Sequence, residues 1–198
     1  MVKQERAVRT RQALIRAAAE VFAEQGFVRA SISSISLRAG VSNGALHFHF
    51  ENKAALAEAV LREAASAVTR MTEEAEAAGG PLDGVVTATH GLVERLADDV
   101  VVRAGFALSG EPGDGAAGAG AAGGTGPRRQ WQAWIETMLG RAAEEALLAE
   151  GVSPRGATEA IVAATVGFEV LGGRDRAWLD DGTVTRFWDL MLPRLSAG

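Results

Sequence analysis

The chain has 198 residues, with 20 Lys+Arg against 25 Asp+Glu for a net charge of −5, and neither cysteine nor tyrosine. That length suits one domain, or a small module joined to a modest second one, and buries a core without staples. The absence of cysteine excludes disulfide frameworks, thiolate zinc sites, iron–sulfur clusters and cysteine nucleophiles.

No run approaches the roughly 20 apolar residues of a membrane span. Residues 1–12 lack the apolar stretch of a signal peptide, so the expected location is the cytoplasm, with no membrane partner. Charge is unevenly spread. Residues 1–55 hold eight cations (Lys3, Arg6, Arg9, Arg11, Arg16, Arg29, Arg38, Lys53) against four acids (Glu5, Glu20, Glu24, Glu51), a balance of +4. With −5 overall, the other 143 residues carry −9. A basic head on an acidic body points to an anionic partner for the head alone.

In chain order, nearly every segment reads as helix. From about residue 5 to 25, Leu14, Ile15, Ala18, Val21 and Phe22 form one apolar stripe, and Gly26 is placed as the C-terminal cap. Ser31 to Ala39 is a second, short helix closed by Gly40, with Ile32 and Ile35 inward. A third begins at the N-cap Ser42 and runs through Phe50. Lys53 to Ala77 reads as a long helix stopped by Gly79-Gly80-Pro81. Further helices are predicted over Pro81 to about Ala97, Val100 to about Leu108, Arg128 to about Ala149, Pro154 to about Leu171 and Thr183 to about Leu195, with a short piece near 174–180. No segment alternates as a strand would. The Gly/Ala-rich stretch at 110–127 is predicted to be a flexible loop. The fold class is therefore all-α.

Three literal motif matches fail on context. Gly113 to Gly118 and Gly118 to Gly123 both fit Gly-x-Gly-x-x-Gly, but a dinucleotide site needs that turn between strand and helix. Gly40-Val41-Ser42-Asn43-Gly44 fits a nucleophile elbow, yet no buried strand precedes Ser42 and no parallel sheet is in view. Asp83 and His90 would have to complete such a triad, and nothing brings them to Ser42. His47 and His49 are two apart and so face different ways on a helix, unlike the i, i+4 pairs of zinc sites. No catalytic, metal or cofactor site is expected.

Residues 32–50 fit a helix-turn-helix. Gly40 takes the left-handed turn, Ile35, Ala39, Val41 and Leu46 fall where the helix pair buries side chains, and Ser36 is small where the helices cross. The outward residues of the second helix, Ser42, Asn43, Gly44, His47 and Phe48, are mostly small or polar, as a groove-entering helix requires. Asn43 suits an adenine edge. Arg6 and Arg9 near the start of the first helix oppose its dipole and make sense against phosphates, as do Ser42 and Lys53 flanking the third. An ordinary helical hairpin with a glycine turn is the alternative reading of the same pattern.

Val8-Arg9-Thr10-Arg11, the run from Ala18 to Phe27, Ser31-Ile32-Ser33-Ser34-Ile35 and the run from Ala39 to Lys53 together resemble the DNA-binding head of the TetR family of transcriptional repressors, over about residues 6–60. The resemblance implies an all-helical homodimer with a DNA-binding head at 1–52 and an effector-binding and dimerisation body at 53–198. Position by position it implies phosphate contacts from Ser31, Ser42 and Lys53 and recognition-helix contacts from Asn43 and His47. The family usually has tyrosine where this chain has His47. His49 matches a histidine common in the family, read here as packing beneath the recognition helix.

Val102-Arg103-Ala104-Gly105 before an apolar stretch, and Trp131 after the loop, are similar to the γ-butyrolactone receptors and their receptor-like relatives, which regulate antibiotic production. That likeness implies a tryptophan closing a pocket for a small apolar effector, with Phe106, Trp134 and Phe168 as further lining; the alternative is that all four aromatics are core. Val162, Val166 and Glu169 on one late helix, with Trp188 and Leu192 on the last, are the expected two-fold seam. The function implied is a repressor that binds a palindromic operator in double-stranded DNA and leaves it on loading with a butyrolactone. The alternatives are a pseudo-receptor answering to an antibiotic or its precursor, a small-molecule enzyme or carrier, and an architectural DNA binder.

Overall fold

The computed structural model describes residues 2–110 and 126–197. Residues 111–125, which hold most of the expected loop and both Gly-x-Gly-x-x-Gly matches, lie outside them. The described chain is all-α, as its periodicity predicts: among the described residues β pairing is confined to one isolated antiparallel bridge, between Leu148 and Ser196. Two compact units emerge, Met1–Ser66 with Asp99–Arg128, and Ala67–Asp98 with Arg129–Gly198.

The first unit is built on α1 (Val2–Arg29), α2 (Ile32–Ala39), α3 (Asn43–His49), the start of α4 (Lys53–Ala78) and α6 (Val100–Gly110). Leu14, Ile15, Ala18, Val21 and Phe22 are all buried, so the predicted stripe is the inward face of α1. Gly26 does not end that helix. It breaks it, at φ 73° and ψ 163°, and one more turn runs to Arg29. The helix also starts at Val2, so Arg9 lies two turns in, beyond the reach of the dipole invoked for it.

Local chemistry sets the next two boundaries. Ser31 caps α2 in a reciprocal box with Ser34: its hydroxyl accepts from the Ser34 N–H at 3.1 Å, and its own N–H donates to the Ser34 hydroxyl at 3.1 Å. Gly40, at φ 68° and ψ 30°, closes the helix. Its N–H donates to the Leu37 carbonyl at 3.1 Å and the Val41 N–H to the Ser36 carbonyl at 3.0 Å, the paired bonds of a left-handed stop. Ser42 then caps α3 by accepting from the Ala45 N–H at 3.2 Å, and Asn52 caps α4 through Ala55 at 2.9 Å. Ile35, Leu46, Phe50 and Leu56 bury against α1, and α6 adds Ala104 and Leu108 to the same core.

The second unit holds the rest of α4, then α5 (Pro81–Asp98), α7 (Pro127–Glu144) from Arg129 on, α8 (Pro154–Gly172), a 3-10 turn (Arg176–Leu179) and α9 (Asp181–Leu195). Its buried residues include Val85, Leu92, Leu96, Trp131, Ile135, Leu139, Ile161, Val184 and Trp188. Alanine-rich sequence predicts α7 to about Ala149, but the helix stops at Glu144. Ala146 turns left-handed at φ 56°, and the Ala146 and Leu147 N–H groups return to the Ala143 and Ala142 carbonyls at 3.1 and 2.8 Å. The released strand-like residues pair with the chain end: Ala149 N–H donates to the Leu195 carbonyl and Ala197 N–H to the Leu147 carbonyl, at 2.9 and 2.8 Å. Those bonds outweigh the helix propensity of alanine.

Gly105 is a tight helix contact in the first unit, since a Cβ built there would stand 2.3 Å from the Ala64 Cβ. Gly105→Ala should therefore cost about 1–3 kcal/mol through overpacking, read as a lower urea midpoint with an unchanged m-value.

Candidate nucleic-acid interface and ligand-sensing core

A seven-residue helix does not hold its own shape in water, so α3 is positioned by what it buries. Leu46 is fully buried and Phe50 nearly so. Phe50 ends the helix with its N–H on the Leu46 carbonyl at 2.9 Å, and the Arg11 guanidinium lies over its ring, 4.5 Å from the centroid. With that inner edge fixed, Ser42, Asn43, Gly44, His47 and Phe48 are all exposed, and His49 is half-buried. The Asn43 amide reaches back toward the Ser33 hydroxyl at 3.4 Å. Ser42 is occupied as a cap and is no nucleophile elbow; His90 belongs to a different contact, its Nδ1 lying 2.6 Å from Asp181 Oδ1. Among the described residues no group of three His, Asp or Glu side chains converges as a metal site.

The cations divide into two sets. Arg6 and Arg9 are exposed and form no ion pair among the described residues. Arg38 is committed instead: its two terminal nitrogens reach the two Glu24 oxygens at 2.8 and 2.7 Å, and one also reaches Glu20 at 3.3 Å. This fork holds the Glu24 carboxyl below its ordinary pKa and pushes the Arg38 guanidinium further up.

Lys53 is committed too. Its ammonium donates to the carbonyls of Phe27 at 2.7 Å, Ala30 at 2.9 Å and Val28 at 3.3 Å, and it lies 4.5 Å from the Phe27 ring centroid. These carbonyls belong to the last turn of α1 and to Ala30 just past it, and Lys53, opening α4, donates to all three. The phosphate contact expected of Lys53 would require giving up one of these bonds.

The expected ligand and dimer residues fall as follows. Trp131 is 1% exposed and stacks on Trp134 at 5.5 Å between ring centroids. Both indole N–H groups are engaged, Trp131 with the Thr165 hydroxyl of α8 at 3.1 Å and Trp134 with Glu76 at 2.6 Å. The Trp131 N–H is thus already bonded within the chain. Phe168, one turn beyond Thr165, is buried with its edge on Phe187, 5.8 Å away. Phe106 is buried in the first unit. A cavity of about 640 Å³ opens between α5, the 3-10 turn and α9, with His90, Glu94, Asp98, Arg176, Asp181 and Val184 among its walls and none of the four aromatics.

Val162, Val166 and Glu169 are half-buried on α8, as is Leu192 on α9. Trp188 differs: it is 4% exposed and packs within its own unit on Phe187, so it is core where the sequence reading made it seam. The apolar side chains that stand out are Val170 at 52% and Leu190 at 73% exposed. Helical phasing locates Leu190: Val184, Trp188 and Leu195 mark the inner face of α9, and residue 190 falls opposite.

The family model for bacterial regulatory proteins of the tetR family matches residues 14–60. The A-factor receptor protein of Streptomyces griseus is 34% identical over 200 residues, which span 99% of this chain and 67% of that protein. A solved γ-butyrolactone receptor (an ArpA-like protein) is 25% identical with a TM-score of 0.81, covering 96% of this chain and 90% of its own. The TetR family protein CprB from Streptomyces coelicolor, solved in complex with its biological operator sequence, is 26% identical with a TM-score of 0.78, covering 97% of this chain and 90% of its own.

The Glu24–Arg38 fork carries a signed pH dependence. A carboxyl whose folded pKa is depressed adds stability above its unfolded pKa and loses it as pH falls through the folded value. The stability difference between the native chain and Arg38→Met should be constant above about pH 5 and shrink on further acidification, in thermal melts collected from pH 7 to 3.

Proposed function

The chain belongs to the tetR family of bacterial regulatory proteins, and from that premise we propose that it is a dimeric, ligand-responsive transcriptional repressor working in the cytoplasm, a regulator and not an enzyme. The observation that carries this reading is the outward face of α3. Asn43, Gly44, His47 and Phe48 are exposed together on a helix whose opposite edge is locked into the head.

Residues 1–52 read DNA, and residues 53–198 sense ligand and dimerise. Asn43 hydrogen-bonds a base edge, His47 and Phe48 extend the contact along the groove, and Arg9, Ser31 and Ser42 meet phosphates. Lys53 contributes through the clamp that joins α1 to α4. Two heads related by a two-fold axis require a palindromic site with half-sites about 34–36 Å apart, or a multiple of that. The seam is formed by Val162, Val166 and Glu169 of α8 and Leu192 of α9, extended by Val170 and Leu190.

The effector is small and largely apolar, in the manner of a γ-butyrolactone. Likeness to the A-factor receptor and to a solved butyrolactone receptor supports this, as does the stacked Trp131–Trp134 pair. Trp131, Trp134 and Phe168 are the candidate wall in the second unit. A hundredfold release from DNA needs about 2.7 kcal/mol of coupling between effector and operator, within the usual allosteric range. No cofactor enters this scheme.

The direct test is selection of bound sequences from random double-stranded DNA, repeated with butyrolactones and with antibiotics. A palindrome released by butyrolactone is the expected result. Release by an antibiotic alone makes the chain a pseudo-receptor, and retention of DNA without sequence preference makes it an architectural binder.

Salt dependence separates the two sets of cations. Arg9→Gln should reduce the slope of log affinity against log salt by about one with no change in melting temperature. Lys53→Met strips three carbonyls of their donor and should cost about 1–3 kcal/mol, or several degrees of melting temperature, with the slope unchanged. A Lys53→Met chain that melts normally with a shallower slope would return Lys53 to the phosphates.

A further inference from the structure

We propose that Gly44 and Phe48 form a notch that reads the 5-methyl group of a thymine in each operator half-site, an inference that rests on the operator-binding reading above. Phe48 is 82% exposed, on the outward face of α3. Its ring has no hydroxyl, and the chain has no tyrosine anywhere, so this position offers DNA an apolar surface and cannot donate to a phosphate. The His49 ring stands edge-on to it, 5.1 Å between centroids at 88°, and steadies its orientation.

Gly44 lies one turn before Phe48. Side chains four apart on a helix share one face, so Phe48 and Gly44 lie along the same outward edge of α3. That turn is bare. A Cβ at Gly44 would meet nothing nearer than the Ser42 hydroxyl at 3.9 Å, and the residue does not have a left-handed φ. Neither backbone strain nor crowding within the chain requires glycine here, and glycine weakens a helix relative to alanine. The open space at Gly44, beside the exposed Phe48, therefore faces outward, toward whatever α3 contacts. In the major groove the thymine methyl is the apolar feature of the base edges, and phenylalanine is a suitable partner for it. Asn43, beside the notch, fits the adenine that pairs with or adjoins such a thymine.

The test uses the full chain and the duplex recovered by selection, with each thymine of the half-site replaced in turn by deoxyuridine, which removes only the methyl. One thymine per half-site should show a loss of about three- to fivefold in affinity, the effect of one buried methyl. Phe48→Ala should bind the thymine and uracil duplexes equally, because the partner surface is gone. Gly44→Ala, which fills the notch with the protein's own methyl, should melt no lower than the native chain yet lose the preference for thymine. Indifference to uracil at every position overturns the notch, and so does a uracil penalty equally large in the native chain and in Phe48→Ala. If no duplex is selected at all, the operator-binding reading itself fails, a result distinct from either of these.

Discussion

The molecule's contact with any partner polyanion depends on a helix too short to persist alone. Seven residues pay the entropy of a helical nucleus for few internal bonds, and Gly44 lowers the propensity further. The direction of α3 is therefore set from outside it. Gly40 fixes the turn that delivers it, Ser42 supplies a missing acceptor at its start, Leu46 anchors its middle and Phe50 its end. Each of these acts on the inner edge of the helix, which frees the outer edge from any structural duty. A face relieved of packing can carry residues chosen only for what they meet.

The same reasoning explains why a count of cations overstates the charge the head presents. Arg38 is neutralised by Glu24 and Glu20, Arg11 lies over Phe50, and Lys53 holds carbonyls. These three hold α2, α3 and the broken end of α1 in register, so they act on any DNA contact through geometry as well as charge. What faces outward is a smaller set, with Arg6 and Arg9 in it. A surface with fewer free charges leaves more of its binding to the groove face of α3, and favours selectivity over bulk electrostatic attraction.

Much of this was legible in the sequence, and the exceptions share a cause. The stripe on α1, the turn at Gly40, the cap at Ser42 and the outward set on α3 all follow from spacing within about four residues, where helix geometry alone decides the outcome. The Lys53 clamp and the Arg38 fork are not legible in the sequence because their partners lie 23 to 26 and 14 to 18 positions away. A charge near a helix terminus looks the same in sequence whether it meets a phosphate or a carbonyl. The early end of α7 is likewise dictated by pairing with residues almost fifty positions later. Trp188 was assigned to the seam on apolar character, although its phase with Val184 and Leu195 already placed it inside.

Helix α8 has an inward face and a less buried one. Ile161, Thr165 and Phe168 turn inward, and the Thr165 hydroxyl accepts from the Trp131 indole N–H while donating to the Val162 carbonyl at 2.9 Å. Val162, Val166 and Val170 lie on the less buried side of the same turns. A ligand that accepted the Trp131 N–H would leave the Thr165 hydroxyl with one bond fewer, at a buried site where an unmet polar group costs about 1–3 kcal/mol. Relief of that cost by a small rotation of α8 would carry the apolar stripe with it, because a packed helix moves as a unit. The energy at stake in one buried hydrogen bond is of the same order as the coupling a hundredfold change in operator affinity demands. On the proposed reading, a single tryptophan–threonine contact is of the size needed to bias which of two dimer geometries prevails.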